Sequence, residues 1–112
     1  MSQITTHVLD TSRGKPAEGV AISLHRHIPD GWDMIAKGIT NADGRIADLL
    51  AKEIVLPVGM YKLKFETATY FAATSTKTFY PVVEIIFDLT TAEHYHVPLL
   101  LNPFGYSTYR GS

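Results

Sequence analysis

Cysteine is absent from all 112 residues, which removes disulfides, zinc–thiolate sites and thiol nucleophiles together. Stability therefore has to come from packing and association. An excess of charge of either sign is missing too. Ten Lys and Arg against eleven Asp and Glu leave a formal −1, so there is no electrostatic footprint for nucleic acid or an anionic membrane. No window approaches the ~18 apolar residues of a membrane span, and Met1–His7 lack the basic start and unbroken apolar stretch of a secretory signal. The chain is therefore expected to be soluble and cytoplasmic, although a mature periplasmic form with an added initiator Met would begin the same way. Glycine-rich phosphate loops, serine-centred nucleophile elbows, usefully spaced carboxylate pairs, internal repeats and low-complexity segments are also missing.

What is present is an ordinary globular composition, 46% hydrophobic and 19% charged, in a length suited to one domain over residues 1–112 with one core. Short apolar or alternating runs recur between Gly, Pro, Asn and Asp, the spacing of an all-β sandwich. Strands are expected over Ile4–Asp10, Val20–His25, Trp32–Thr40, a short stretch opened by Arg45, Gly59–Glu66, Pro81–Asp88, His94–Leu101 and Tyr106–Gly111. Ser12–Pro16 and Asn41–Gly44 read as turns. Thr67–Ser75 breaks the alternation, and its alanines with Tyr70 and Phe71 suit one short helix. Eight strands and one helix give two packed antiparallel sheets, with an exposed edge that needs a partner.

Strand parity sorts the side chains. His94, His96, Pro98 and Leu100 share one face, and Tyr95, Val97, Leu99 and Leu101 form the better core face. Thr5, His7 and Leu9 share a face in the first strand. In the last, Ser107, Tyr109 and Gly111 lie opposite Tyr106, Thr108 and Arg110. His94-x-His96, with His7 as a third ligand, matches a strand-borne metal set, but no cysteine supports it and no acidic ligand is paired with it. His25 and His27 fit exposed positions without a role. Trp32, Phe65 and Phe87 fit packing, Asp10 a strand end that bonds nearby backbone, and Asp43-Gly44 a turn that aims Arg45.

Three segments stand apart from this background: Thr6-His7-Val8-Leu9-Asp10, His94-Tyr95-His96-Val97-Pro98-Leu99-Leu100-Leu101, and the closing Tyr109-Arg110-Gly111-Ser112. A frayed tail needs no such mixture of charge, aromatic ring and glycine. With Asp43-Gly44-Arg45 they make the chain resemble the 5-hydroxyisourate hydrolases of the transthyretin-like protein family, over nearly its whole length. That resemblance implies a transthyretin-like sandwich and a homotetramer, a dimer of dimers around a central channel. It also implies metal-free and cofactor-free hydrolysis of a cyclic amide in an oxidised purine.

By the same resemblance His7, Arg45, His96 and Ser112 are expected to be catalytic, and Tyr109, Arg110 and Gly111 to bind substrate. The chemistry suits those types. A histidine titrates near working pH and can activate water; His7 and His96 both remain candidates. Arg45 and Arg110 present planar cationic forks to carbonyl oxygens. Ser112, the last residue given, brings a hydroxyl with an α-carboxylate, Gly111 permits close approach, and Tyr109 can stack on a flat ring. Two other readings stay open: a carrier of small aromatic ligands in the same channel, and a structural interaction module.

Overall fold

The computed structural model of the chain describes residues 2–112. In chain order the elements are β1 Ile4–Thr5, β2 Val8–Asp10, β3 Lys15–Pro16, β4 Ala21–Ile28, β5 Gly31–Ile39, β6 Gly59–Phe65, α1 Thr67–Ala73, β7 Val83–Leu89, β8 Tyr95–His96, β9 Leu99–Asn102 and β10 Gly105–Thr108. One sheet has the order β5-β4-β6-β7 and the other β10-β9-β2-β3, while β1 and β8 form a two-stranded extension. The expected sandwich with one short helix is therefore present. None of its helices is long and apolar enough to cross a membrane among the described residues.

The β5-β4-β6-β7 sheet is antiparallel throughout, and alternation explains it. Ile22, Leu24, Tyr61, Leu63 and Phe65 turn inward and are almost wholly buried, and their neighbours turn outward. On that outer face Lys62 lies 4.6 Å from the centre of the Trp32 ring and 3.2 Å from Glu84, so its stem is covered while its charge stays paired. Trp32 thus packs on the outer face, where His27 meets it edge-on at 5.1 Å. Phe65 belongs to the core, and Phe87 is half-buried against it.

The second sheet departs from the expected pattern. Ile4–Asp10 is interrupted at Thr6–His7, and His94–Leu101 is interrupted opposite it at Val97–Pro98. The two runs still hydrogen-bond across the break, the Val97 N–H donating to the Thr5 carbonyl and the Leu99 N–H to the His7 carbonyl, both at 2.9 Å, while the Thr6 hydroxyl donates to the Val97 carbonyl at 2.6 Å. The halves stay in register, Ile4 with Tyr95 and Val8 with Leu99, but they run parallel. The sheet is therefore mixed, not antiparallel throughout. Arg45 opens no strand; it makes a single bridge to His7. Lys15–Pro16, expected within a turn, pairs with Leu9–Asp10. The last strand stops at Thr108 rather than Gly111, and Gly111 makes its own bridge to His96.

The helix is real over Thr67–Ala73, with Tyr70 and Phe71 turned onto the core. The Tyr70 hydroxyl donates to Asp10 Oδ2 at 2.7 Å, and Asp10 Oδ1 accepts the N–H groups of Ser12 and Arg13 at 3.0 and 3.2 Å. Burial alone pushes the Asp10 carboxyl up; the bonds from Ser12, Tyr70 and Arg13 outweigh it and hold it below the ordinary carboxylate value. This knot ties the helix to β2.

Candidate active site

The chemistry-bearing residues gather where the second sheet is interrupted. Asn41 builds the first wall. Its Oδ1 accepts the N–H groups of Asp43 at 2.9 Å and Arg45 at 3.2 Å, and its carbonyl accepts from Gly44 N–H at 2.9 Å, a side-chain-closed turn. Gly44 takes φ +74°, and a Cβ there would lie 2.4 Å from the Val8 carbonyl oxygen, so glycine is required. The turn sets the backbone of Arg45 against His7 and presents an exposed guanidinium.

His96, closing β8, forms the opposite wall. Its Nδ1 lies 2.8 Å from Thr5 Oγ1, and its carbonyl accepts Gly111 N–H at 2.8 Å. A Cβ on Gly111 would stand 2.5 Å from His96 Cδ2, so this glycine lets the tail run against the ring edge. Nε2 has no protein partner among the described residues, and no buried side-chain nitrogen or oxygen there goes without one; Nε2 is thus reached from the open side. Burial first, then the charges of Arg45, His94 and His7, lowers the pKa of His96 below the usual histidine range, which keeps the ring neutral near pH 7.

Between these walls lies an open cavity of about 570 Å³ lined by Thr5, Thr6, Asn41, Arg45, Ile46, Ala47, His94, His96 and Ser112, a size that admits a small planar molecule. A neutral imidazole with one free nitrogen can accept a proton from water, and a guanidinium can stabilise the negative charge that follows.

Of the residues singled out from the sequence, the structure brings His96, Arg45 and Ser112 to this one cavity. His7 stands half-buried beside it, with its ring edge near Gly44 and its backbone bridged to Arg45. Gly111 lies against His96. Tyr109 and Arg110 line a different cavity of about 280 Å³ with Phe87, Tyr95 and Thr108. There the Arg110 Nη2 donates to Glu93 Oε1 at 2.6 Å and its guanidinium carbon lies 4.4 Å over the Tyr95 ring. Strand parity had set Tyr109 and Arg110 on opposite faces; because β10 ends at Thr108 the rule lapses, and both line one cavity.

Several wall residues were not marked by the sequence. Thr5 shares its strand face with His7, the one signal that pointed to it, and Asn41 belongs to the turn that aims Arg45. Ile46 and Ala47 come from irregular chain with no pattern to read. His94, read only as half of a metal pair, turns its Nε2 to the same Thr5 hydroxyl at 2.8 Å, and its ring stacks on His96 with centroids 6.4 Å apart. Among the described residues no three His, Asp or Glu side chains gather as a cation site.

Residues 4–111 match the model of the HIUase/Transthyretin family. Over 116 residues the chain is 46% identical to a 5-hydroxyisourate hydrolase of Halalkalibacterium halodurans, covering 98% of each chain. Among solved structures it is similar to Klebsiella pneumoniae 5-hydroxyisourate hydrolase, with a TM-score of 0.86 and 42% identity over 97% of this chain and 98% of that one. It is also similar to sea bream transthyretin in complex with thyroxine, with a TM-score of 0.90 and 34% identity over 97% and 94%. Backbone likeness does not choose between an enzyme and a carrier; the side chains on the cavity wall must.

Proposed function

The chain belongs to the HIUase/Transthyretin family, and from that premise we propose that it is a hydrolase that opens the cyclic amide of 5-hydroxyisourate with water. The product is 2-oxo-4-hydroxy-4-carboxy-5-ureidoimidazoline, a step in cytoplasmic urate degradation to allantoin. The observation that carries this reading is the convergence of His96, Arg45 and Ser112, from segments far apart in sequence, on one open cavity.

In this mechanism His96 takes a proton from the attacking water through its free Nε2. Its neutrality near pH 7, supported by burial and by the Arg45 charge, suits it to that task better than a protonated ring. Arg45 holds the carbonyl oxygen on which negative charge develops. His7, next to the Arg45 turn, assists the proton transfer, and Ser112 supplies an acceptor that orients the water or the ring.

The working unit is a homotetramer, a dimer of dimers of one-domain chains. Tyr109 and Arg110 bind substrate from a neighbouring subunit, while Gly111 lets the tail pass His96. The 58% exposure of Tyr109 and 65% exposure of Phe104 support a partner surface near the tail. The alternative, a carrier of small aromatic ligands, is favoured by the likeness to a thyroxine-bound transthyretin; the imidazoles and guanidinium on the wall argue against it.

The test is direct. 5-Hydroxyisourate is generated with urate oxidase and its ultraviolet decay followed with the chain and with a form lacking Ser112. Decay accelerated by the chain and slowed again in the shortened form is expected. No acceleration by the intact chain would refute the hydrolase reading; full activity of the shortened form would refute only the role of Ser112.

A further inference from the structure

Beside His96 lies an arrangement that the hydrolysis itself does not explain. One hydroxyl, Thr5 Oγ1, stands 2.8 Å from His96 Nδ1 and 2.8 Å from His94 Nε2. A hydroxyl has a single proton to donate. With both rings neutral and the hydroxyl donating to one of them, the chain runs in one of two directions: His94 to Thr5 to His96, or His96 to Thr5 to His94. The first leaves His96 with its proton on Nε2, facing the cavity as a donor. The second leaves Nε2 bare.

We propose that Thr5 and His94, which share the cavity wall with His96, form a proton relay running from the half-buried His96 ring to the exposed His94 ring. Its part in turnover rests on the hydrolase reading; the hydrogen-bond chain does not. At rest His96 donates from Nδ1 to Thr5, and Thr5 donates to His94 Nε2. When water attacks the substrate carbonyl, one O–H bond of the water breaks and that proton goes to His96 Nε2. The Nδ1 proton passes to Thr5 and the Thr5 proton to His94. The water oxygen is now bonded to carbon, the substrate oxygen carries the negative charge, His96 is neutral, and the positive charge sits on His94. When the C–N bond breaks, the Nε2 proton goes to the leaving nitrogen and the relay runs back.

Charge supplies the reason for this direction. A cation held on His96 would be half-buried with the Arg45 guanidinium and His7 facing it, whereas His94 is exposed and solvent screens its charge. Thr5 is thus a positioning residue that fixes the tautomer of His96, and His94 is the outlet.

Three variants test it. Thr5→Val removes the hydroxyl but keeps the branched shape, Thr5→Ser keeps the hydroxyl, and His94→Ala removes the outlet. Thr5→Val and His94→Ala are each expected to lower kcat about tenfold, within what a positioned acid–base group contributes, with a smaller change in KM; Thr5→Ser recovers the rate. Independently of substrate, ¹⁵N ring shifts at pH 8 should show His96 protonated on Nδ1 in wild type and Thr5→Ser, and shifted toward Nε2 in Thr5→Val. An Nε2–H ring in the wild type, or a tautomer that Thr5→Val leaves unchanged, overturns the relay. Should the chain fail to hydrolyse 5-hydroxyisourate at all, the ring shifts still decide whether the relay exists.

Discussion

The two sheets of this sandwich differ in regularity, and the difference marks where each has its role. The β5-β4-β6-β7 sheet has strands of seven to nine residues and buries Leu24, Leu63 and Phe65 completely. The other sheet has strands of two to four residues, broken at Thr6–His7 and Val97–Pro98. The cavity lies at those breaks, where Arg45 and Gly111 make single bridges to His7 and His96 instead of joining the sheet. Regular pairing builds the core, and the candidate site sits where the pairing turns irregular.

A crossed pair of substitutions breaks or sharpens that contrast most strongly. His96→Ala is expected to cost about 10²–10⁴ in rate while the thermal transition moves little, because the ring lies at the edge of the core. Leu63→Ala, in the middle of the regular sheet, should cost about 2–5 kcal/mol of stability by leaving a cavity, with the activity of the folded fraction retained. Rate by ultraviolet decay and stability by denaturant unfolding read the two effects. If His96→Ala unfolds the chain, or Leu63→Ala abolishes turnover in folded protein, the division between the sheets is wrong.

A smaller effect follows from pH. His96 is held below the ordinary histidine value by burial and by nearby positive charge, so it remains neutral as pH falls through ~6.5 and protonates only below that. The acid limb of kcat/KM should therefore lie below pH 6.5. The stability linkage has the same sign: an unfolded His96 binds its proton first, so stability is full above ~6.5 and declines as pH falls from there to the depressed folded value. An acid limb centred above 6.5 would contradict the electrostatics assigned to the cavity.

The smallest effect is expected at the tail. Glu93 and Arg110 form an exposed ion pair, which water and salt screen, so Glu93→Gln should leave the thermal transition unchanged. A change in activity from the same substitution would instead indicate that Glu93 governs where Arg110 points in the assembled protein.

The sequence was most legible where the structure is most regular. Alternation of Tyr61, Leu63 and Phe65 with their wet-side neighbours marked β6 to within one residue, and the odd composition of Thr67–Ser75 marked the helix. The mixed sheet was less legible. Alternation is the same in parallel and antiparallel strands, so nothing in Ile4–Asp10 or His94–Leu101 revealed that they run side by side in one direction. Pro98 lies inside a run that reads as one strand, His94–Leu101, and the break there is set by a tertiary contact, the Thr6 hydroxyl on the Val97 carbonyl. Arg45 and His96 were marked by the family resemblance of their segments, and the structure places both on one cavity. Thr5 escaped, because one hydroxyl shared between two imidazoles is a tertiary fact with no spacing of its own.

The most direct measurement is a crystal structure of the chain with urate, the parent ring that lacks the reactive hydroxyl. The ring is expected in the cavity between Arg45 and His96, with an oxygen within hydrogen-bond reach of the guanidinium and the amide carbon facing His96 Nε2. Urate bound only beside Tyr95 and Thr108, or only in a channel between subunits away from His96, would contradict the account.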